Sequence, residues 1–206
     1  MNDDSFLFHG MTIHLDAHVY SPAEDTFLLL DALSYKKQSL VLELGTGCGI
    51  IALECARHGC NVICSDINPF AASLTYRNIQ TNYSHLKGKI QVVCADLFSA
   101  FTAKNQFDMI LFNPPYLPTQ PEDRTGDYWF DQAVCGGSDG LLYITKFLDT
   151  VSLFLKEQGV GYCVVSSQSD QQRLHNCLRN NRLHANIVAS QHFENESLLI
   201  YLLKST

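Results

Sequence analysis

The residues best suited to chemistry are Asn113-Pro114-Pro115-Tyr116. Asn113 offers a side-chain amide oxygen as an acceptor, and Pro114 offers its carbonyl as a second. The prolines fix their own φ, and the residue before a proline is held extended, so both acceptors sit on a stiff backbone. A planar –NH2 group can donate one hydrogen bond to each while Tyr116 stacks on its flat face. That geometry turns the nitrogen lone pair toward an electrophile, which is catalysis by positioning and preorganised electrostatics. No titratable base is required. The plainer explanation of the same residues is a rigid Pro-Pro turn with an incidental asparagine.

A second group lies upstream, in Glu43-Leu44-Gly45-Thr46-Gly47-Cys48-Gly49. Glycines let a backbone turn sharply and let a ligand approach it closely. Dinucleotide folds use a similar turn, but their fingerprint is G-x-G-x-x-G, and Ile50 occupies its last position. Glu43 at the end of the preceding run would repel a pyrophosphate. It would attract S-adenosylmethionine, which carries an ammonium and a sulfonium. Asp66 stands 21 residues (66 − 45) past Gly45, at the end of the next apolar run, where its carboxylate can accept two ribose hydroxyls. Asp96, with Leu97 after it, follows a third run and is placed to reach an adenine amino group. The alternatives are an ordinary strand–helix turn with surface acids, and for Asp96 a helix cap.

These groups require elements to hold them. Leu40–Leu44, Asn61–Asp66, Ile90–Cys94 and Phe107–Phe112 are apolar runs of strand length. The spacing predicts a helix from Ile50 to His58 with Gly59 as its stop, and another opening at Asn68-Pro69. Residues 113–139 are rich in Pro, Gly and Asp and predict a long functional loop. Asp139 and Gly140 predict the start of the next helix. Leu141, Ile144, Leu148, Val151 and Leu155 recur at helical spacing and predict one helix over 140–155. A strand over 161–167 and a helix over 170–180 follow. Two closing strands, near 185–189 and 198–203, flank the polar turn Glu194–Ser197. Strand–helix alternation predicts an α/β fold with a mainly parallel sheet covered on both faces and a ligand beyond the strand C-termini. The 206 residues fit one domain, 1–206.

Composition narrows the function. The formal net charge is −7, and the longest basic run is Lys36-Lys37, so non-specific nucleic-acid binding gains nothing from electrostatics. No stretch reaches the ~18 apolar residues of a membrane span, and the acid-bearing start Met1-Asn2-Asp3-Asp4 is unlike a signal peptide. The eight cysteines include no Cys-x-x-Cys pair and mostly lie in apolar runs, as buried free thiols of a reducing compartment would.

Together these residues resemble the HemK/PrmC family of class I methyltransferases. The resemblance rests on Tyr20-Ser-Pro-Ala-Glu-Asp-Thr26, the glycine loop, Asp66-Ile-Asn-Pro69, Asp96, Asn113–Tyr116 and Gly136-Gly-Ser-Asp-Gly140. It implies a Rossmann-like seven-stranded sheet with an antiparallel last strand. It also implies transfer of a methyl group from S-adenosylmethionine to the glutamine amide of a Gly-Gly-Gln motif in a translation termination factor. Bacterial members carry an extra N-terminal helical domain, so the match is to the short archaeal and eukaryotic branch. By this resemblance Thr26 contacts the cofactor near its methionine end, Asn113 joins the cofactor contacts, and Asn113 to Tyr116 receive the glutamine. The resemblance also implies a small zinc-binding activator subunit. In the family's sheet order Ile90–Cys94 lies at an edge, and no proline or inward charge guards it, so the subunit is expected there. The expected location is the cytoplasm, extending to the nucleus in a eukaryote.

Two other groups invite attention. His9, His14 and His18 suggest a metal site but lack an evident acidic ligand, so they are expected as surface histidines. Trp129 and Phe130 either flank a substrate or pin the long loop to the core. Rival functions are methylation of an exocyclic amino group in DNA or RNA, methylation of a protein lysine, and a non-catalytic cofactor-binding scaffold. Enzymes acting on bases extrude them and usually carry basic surfaces, which this chain lacks.

Overall fold

Apolar runs bounded by polar turns become strands at the predicted places. The computed structural model describes residues 4–120, 122 and 124–205. In chain order its elements are β1 (Ser5–Phe8), β2 (Met11–His14), α1 (Glu24–Ala32), β3 (Leu40–Leu44), α2 (Ile50–Arg57), β4 (Asn61–Asp66), α3 (Pro69–Thr81), a 3-10 turn (Tyr83–His85), β5 (Ile90–Cys94), β6 (Phe107–Phe112), α4 (Tyr128–Val134), α5 (Leu142–Leu148), α6 (Val151–Phe154), β7 (Leu155–Ser166), α7 (Gln171–Asn180), β8 (Leu183–His192) and β9 (Ser197–Ser205). Seven strands form one sheet in the order β5-β4-β3-β6-β7-β9-β8. β3, β4 and β5 pair in parallel, as do β6 and β7, while β9 runs antiparallel to both β7 and β8. This is the expected class I methyltransferase sheet. Among the described residues no helix is long and apolar enough to cross a membrane. The acidic start at residues 1–3 lies outside the described residues.

Contacts divide the chain into two compact units. One holds the described residues through Ala23 with Ser34–Thr102, and the other holds Glu24–Leu33 with those from Ala103 on. The first unit is centred on Val41, Leu42, Leu44, Leu53 and Cys64, all with no exposed surface. Its α3 starts as predicted: the Asn68 side chain accepts from the Phe70 N–H, and Pro69 supplies the pre-set first turn. The β1–β2 hairpin was not foreseen. Its two-residue turn is His9-Gly10, with φ of +48° and +82°, as a tight hairpin of matching twist requires.

That hairpin is held to α3 by amide side chains. The Asn82 side chain accepts from the Thr12 N–H at 2.8 Å and donates to the Thr12 carbonyl at 2.7 Å. Asn78 repeats the pattern on His14, at 2.9 and 3.0 Å. The two amides therefore copy a strand ladder along β2, with four residues of helix replacing two of strand.

The second unit departs further from expectation. The predicted helix over 140–155 is two helices, α5 and α6, separated at Asp149-Thr150, where Thr150 adopts φ −124°. The apolar spacing identifies the buried face correctly: Leu141, Ile144, Leu148, Val151 and Leu155 are all at most 2% exposed. Periodicity reports burial, and a break that keeps the same face inward leaves it unchanged. Leu155 instead begins β7, which is longer than predicted. It pairs Phe107 with Leu155 and Met109 with Val160, so residues 156–159 form an excursion that hides the strand's start. The loop over 113–139, whose residues 121 and 123 lie outside the described ones, contains the short helix α4, capped by Asp127. Asp139 does not cap α5 directly; its carboxylate accepts from the Leu141 N–H one residue before the helix.

Of the cysteines, Cys48, Cys55, Cys60, Cys64 and Cys163 are buried, while Cys94 is exposed and Cys135 and Cys177 are half-buried. Burial pushes the Cys48 thiol up to about 12, so it stays protonated and unreactive.

Candidate active site

In the first unit the chemistry gathers where β3 and β4 end. Gly45, Gly47 and Gly49 have φ of +66°, +58° and +83°, so each glycine of the loop occupies the region that a side chain would strain. The loop turns back over Glu43, which is 2% exposed. The Thr46 hydroxyl donates to Glu43 Oε2 at 2.7 Å. Oε1 is buried and has no hydrogen-bond partner among the described residues. A buried carboxylate with an unused oxygen costs free energy unless a cation or donor meets it. Burial pushes the Glu43 carboxyl up to about 8, with nearby Asp66 adding to the rise and the Thr46 hydrogen bond opposing it. A ligand carrying an ammonium or sulfonium fits that oxygen, and a pyrophosphate does not.

Asp66 is fixed by its neighbours. Its Oδ2 accepts the Gly47 N–H and its Oδ1 accepts the Asn68 N–H, both at 2.9 Å. Burial raises its pKa, and these backbone hydrogen bonds act against the rise. Each oxygen keeps a further lone pair, so the carboxylate remains able to accept hydroxyl donors. Asp96 is exposed, and residues 97–100 form turns, so it caps no helix. Leu97 beside it has φ +44°, a strained value for a leucine.

In the second unit β6 delivers Asn113–Tyr116. Pro114 is buried, and Asn113, Pro115 and Tyr116 are half-buried. Asn113 Oδ1 is buried with no donor among the described residues, while its Nδ2 lies 3.5 Å from the Thr26 hydroxyl. The oxygen singled out from sequence is thus the atom left unpaired. Asp25, which was not singled out, organises the rest. It is 4% exposed, and its Oδ1 accepts the Thr26 N–H at 2.6 Å and the Thr26 hydroxyl at 3.1 Å. Its Oδ2 accepts the Tyr116 hydroxyl at 3.1 Å. One buried carboxylate at the start of α1 therefore holds both Thr26 and Tyr116. The sequence shows only an acid pair in a helix first turn, Glu24-Asp25; the structure exposes Glu24 and buries Asp25.

The 136–140 segment is laid directly on this loop. A Cβ on Gly136 would meet the Tyr116 Cα at 2.9 Å, and one on Gly140 would clash with the Tyr116 carbonyl. Just beyond, Thr119, Arg124, Tyr128, Gln132 and Tyr143 line a cavity of about 440 Å³. Trp129 and Phe130 lie on α4, half-buried and exposed respectively.

The histidines serve the surface of the first unit. His9 hydrogen-bonds Glu54 at 3.1 Å, and His18 hydrogen-bonds Asp16 at 3.0 Å and stacks on Phe70. His14 is half-buried, with its backbone held by Asn78.

The raised pKa of Glu43 sets a sign for stability against pH. Its folded value of about 8 exceeds the ordinary 4.5, so its contribution is full below 4.5 and is lost as pH rises through about 8. Thermal unfolding of the chain without added ligand is expected to show a Tm falling across that window, and Glu43→Gln is expected to flatten the fall. Equal slopes for both proteins would remove Glu43 as the cause.

The model of the Methyltransferase small domain family matches residues 10–135, a span that includes Glu43, Asp66, Asp96 and Asn113–Tyr116. A Methanocaldococcus jannaschii protein named as a protein N5-glutamine methyltransferase is 39% identical over 171 residues, covering 82% of this chain and 83% of that one. Human methyltransferase HEMK2 is 31% identical over 190 residues, covering 88% and 87%. Among solved structures, the E. cuniculi Mtq2-Trm112 complex is described as responsible for methylating the eRF1 translation termination factor. It matches with a TM-score of 0.67 at 27% identity, covering 92% of this chain and 99% of the matched chain. The chain therefore belongs to the HemK/PrmC family of S-adenosylmethionine-dependent methyltransferases.

Proposed function

We propose that the chain methylates the side-chain amide nitrogen of a glutamine, that of a Gly-Gly-Gln motif in a translation termination factor. The observation that carries this reading is Asn113 Oδ1, a buried acceptor without a donor on a loop stiffened by two prolines. A primary amide supplies the missing N–H, and the Pro114 carbonyl accepts the other. Planarity favours an amide over a lysine ammonium. A net charge of −7 disfavours a nucleic-acid acceptor. The names of the M. jannaschii relative and of the E. cuniculi complex support the same substrate class.

When bound, S-adenosylmethionine supplies an electrophilic methyl group on its sulfonium. The proposal assigns Glu43 to the cationic methionine end, Asp66 to the ribose hydroxyls, and Asp96 with Leu97 to the adenine. Gly45 and Gly47 let the backbone approach closely, and the family resemblance adds Thr26 and Asn113. On the acceptor side Asn113 and Pro114 hold the two amide protons, Pro115 stiffens the turn, and Tyr116 stacks on the amide plane. Asp25 is a positioning residue that aims Tyr116. The displaced proton leaves to solvent, and no base is assigned. Residues 1–206 are treated as one catalytic domain acting in the cytoplasm, or the nucleus of a eukaryote.

The proposal extends to a partner. β5 is an edge strand of half-exposed apolar residues without proline or inward charge. Tyr76 on α3 and Tyr83 on the 3-10 turn are exposed as well, at 60% and 74%. A small zinc-binding activator subunit adding a strand to β5 suits this surface.

The substrate is tested by mass spectrometry of a Gly-Gly-Gln termination factor after incubation with isotopically labelled S-adenosylmethionine. The expected product is a methylated glutamine; equal or faster labelling of lysine, or of a DNA or RNA oligonucleotide, overturns the assignment. Asn113→Ala is expected to slow turnover by about 100-fold or more in a folded protein. Tyr116→Phe keeps the ring but loses the bond to Asp25, so its rate is expected between wild type and Tyr116→Ala. Equal damage from both would reject stacking. Val92→Pro and Val92→Lys are expected to abolish co-purification with the activator subunit while leaving the chain folded. Normal co-purification would place the docking surface elsewhere.

A further inference from the structure

Two carbonyls of the glycine loop, those of Gly47 and Cys48, accept hydrogen bonds from α3. The Thr75 hydroxyl donates to the Gly47 carbonyl at 2.9 Å, and Asn78 Nδ2 donates to the Cys48 carbonyl at 2.8 Å. Both side chains have no exposed surface. The contact is close enough that a Cβ on Gly49 would lie 2.7 Å from Thr75 Cγ2. The peptides on either side of the Gly47 Cα are thus both held: the N–H of Gly47 by Asp66 and its carbonyl by Thr75.

We propose that Thr75 and Asn78 are positioning residues for S-adenosylmethionine, clamping the Gly47 and Cys48 carbonyls so that the loop is rigid before the cofactor arrives. The inference rests on the assignment of this loop to the cofactor. Three positive-φ glycines give the loop wide freedom in the absence of restraint, and freezing that freedom on binding would weaken affinity. The two donors remove it in advance. The packing explains why both polar side chains lie in the interior, on one face of α3, three residues apart. Asn78 also pairs with the His14 backbone, so the same amide ties β2 to the loop.

Thr75 provides the clean test, because Asn78 has a second duty and its variants risk unfolding. Thr75→Val removes only the hydroxyl and keeps the shape against Gly49. Thr75→Ser keeps the hydroxyl and removes the methyl. S-adenosylmethionine binding is measured by calorimetry for wild type and both variants, with unfolding in urea followed in parallel. The loss of one hydrogen bond predicts about 3–10-fold weaker binding for Thr75→Val, with Thr75→Ser restored toward wild type. In turnover the KM for the cofactor is expected to rise while the KM for the protein acceptor stays unchanged. Wild-type affinity in a folded Thr75→Val, or equal weakening by both variants, overturns the clamp. Failure of wild type to bind the cofactor instead overturns the loop assignment on which the clamp rests.

Discussion

A buried acceptor without a donor costs about 1–3 kcal/mol, more when it is charged, and each of the two units carries such a cost. Glu43 Oε1 and Asn113 Oδ1 are both buried and unpaired. Each lies where a strand gives way to its loop, and each is the atom a ligand of the assigned chemistry would satisfy. Under the proposed function a cation would meet the first and an amide N–H the second. The fold must hold these oxygens in place against the tendency to turn away and find a donor.

Each unit meets that demand with local chemistry. In the first, Thr46 occupies one Glu43 oxygen and so fixes the other. The loop above it is held through Asp66 on one side and α3 on the other. In the second, two prolines set the backbone, and Asp25 anchors Tyr116 and Thr26. Among the described residues the Asn113 side chain has one long contact through its nitrogen, 3.5 Å to Thr26. Rigid surroundings and an unsatisfied centre are what preorganised catalysis requires.

Much of this was legible in the residues. Strands β3 to β6 were readable because their apolar runs are short and sharply bounded. The glycine loop, Asp66 and Asn113–Tyr116 were readable because few backbones need those residue types in that order. The β1–β2 hairpin was missed because its partner is an Asn78-Asn82 ladder on a helix, distant in sequence, and not a third strand. The division of α5 from α6 was missed because both keep one apolar face inward. Asp25 was missed for a different reason: an acid in a helix first turn ordinarily faces solvent and favours the helix dipole. Only the tertiary contact with Tyr116 shows that it is buried and bonded.

The most direct measurement is a crystal structure of the chain with S-adenosylhomocysteine and a peptide containing Gly-Gly-Gln. The account predicts the glutamine –NH2 donating to Asn113 Oδ1 and to the Pro114 carbonyl, each at roughly 2.7–3.2 Å, with its plane against the Tyr116 ring. A glutamine bound away from Asn113, or an Asn113 oxygen satisfied by another donor of the chain, would contradict it.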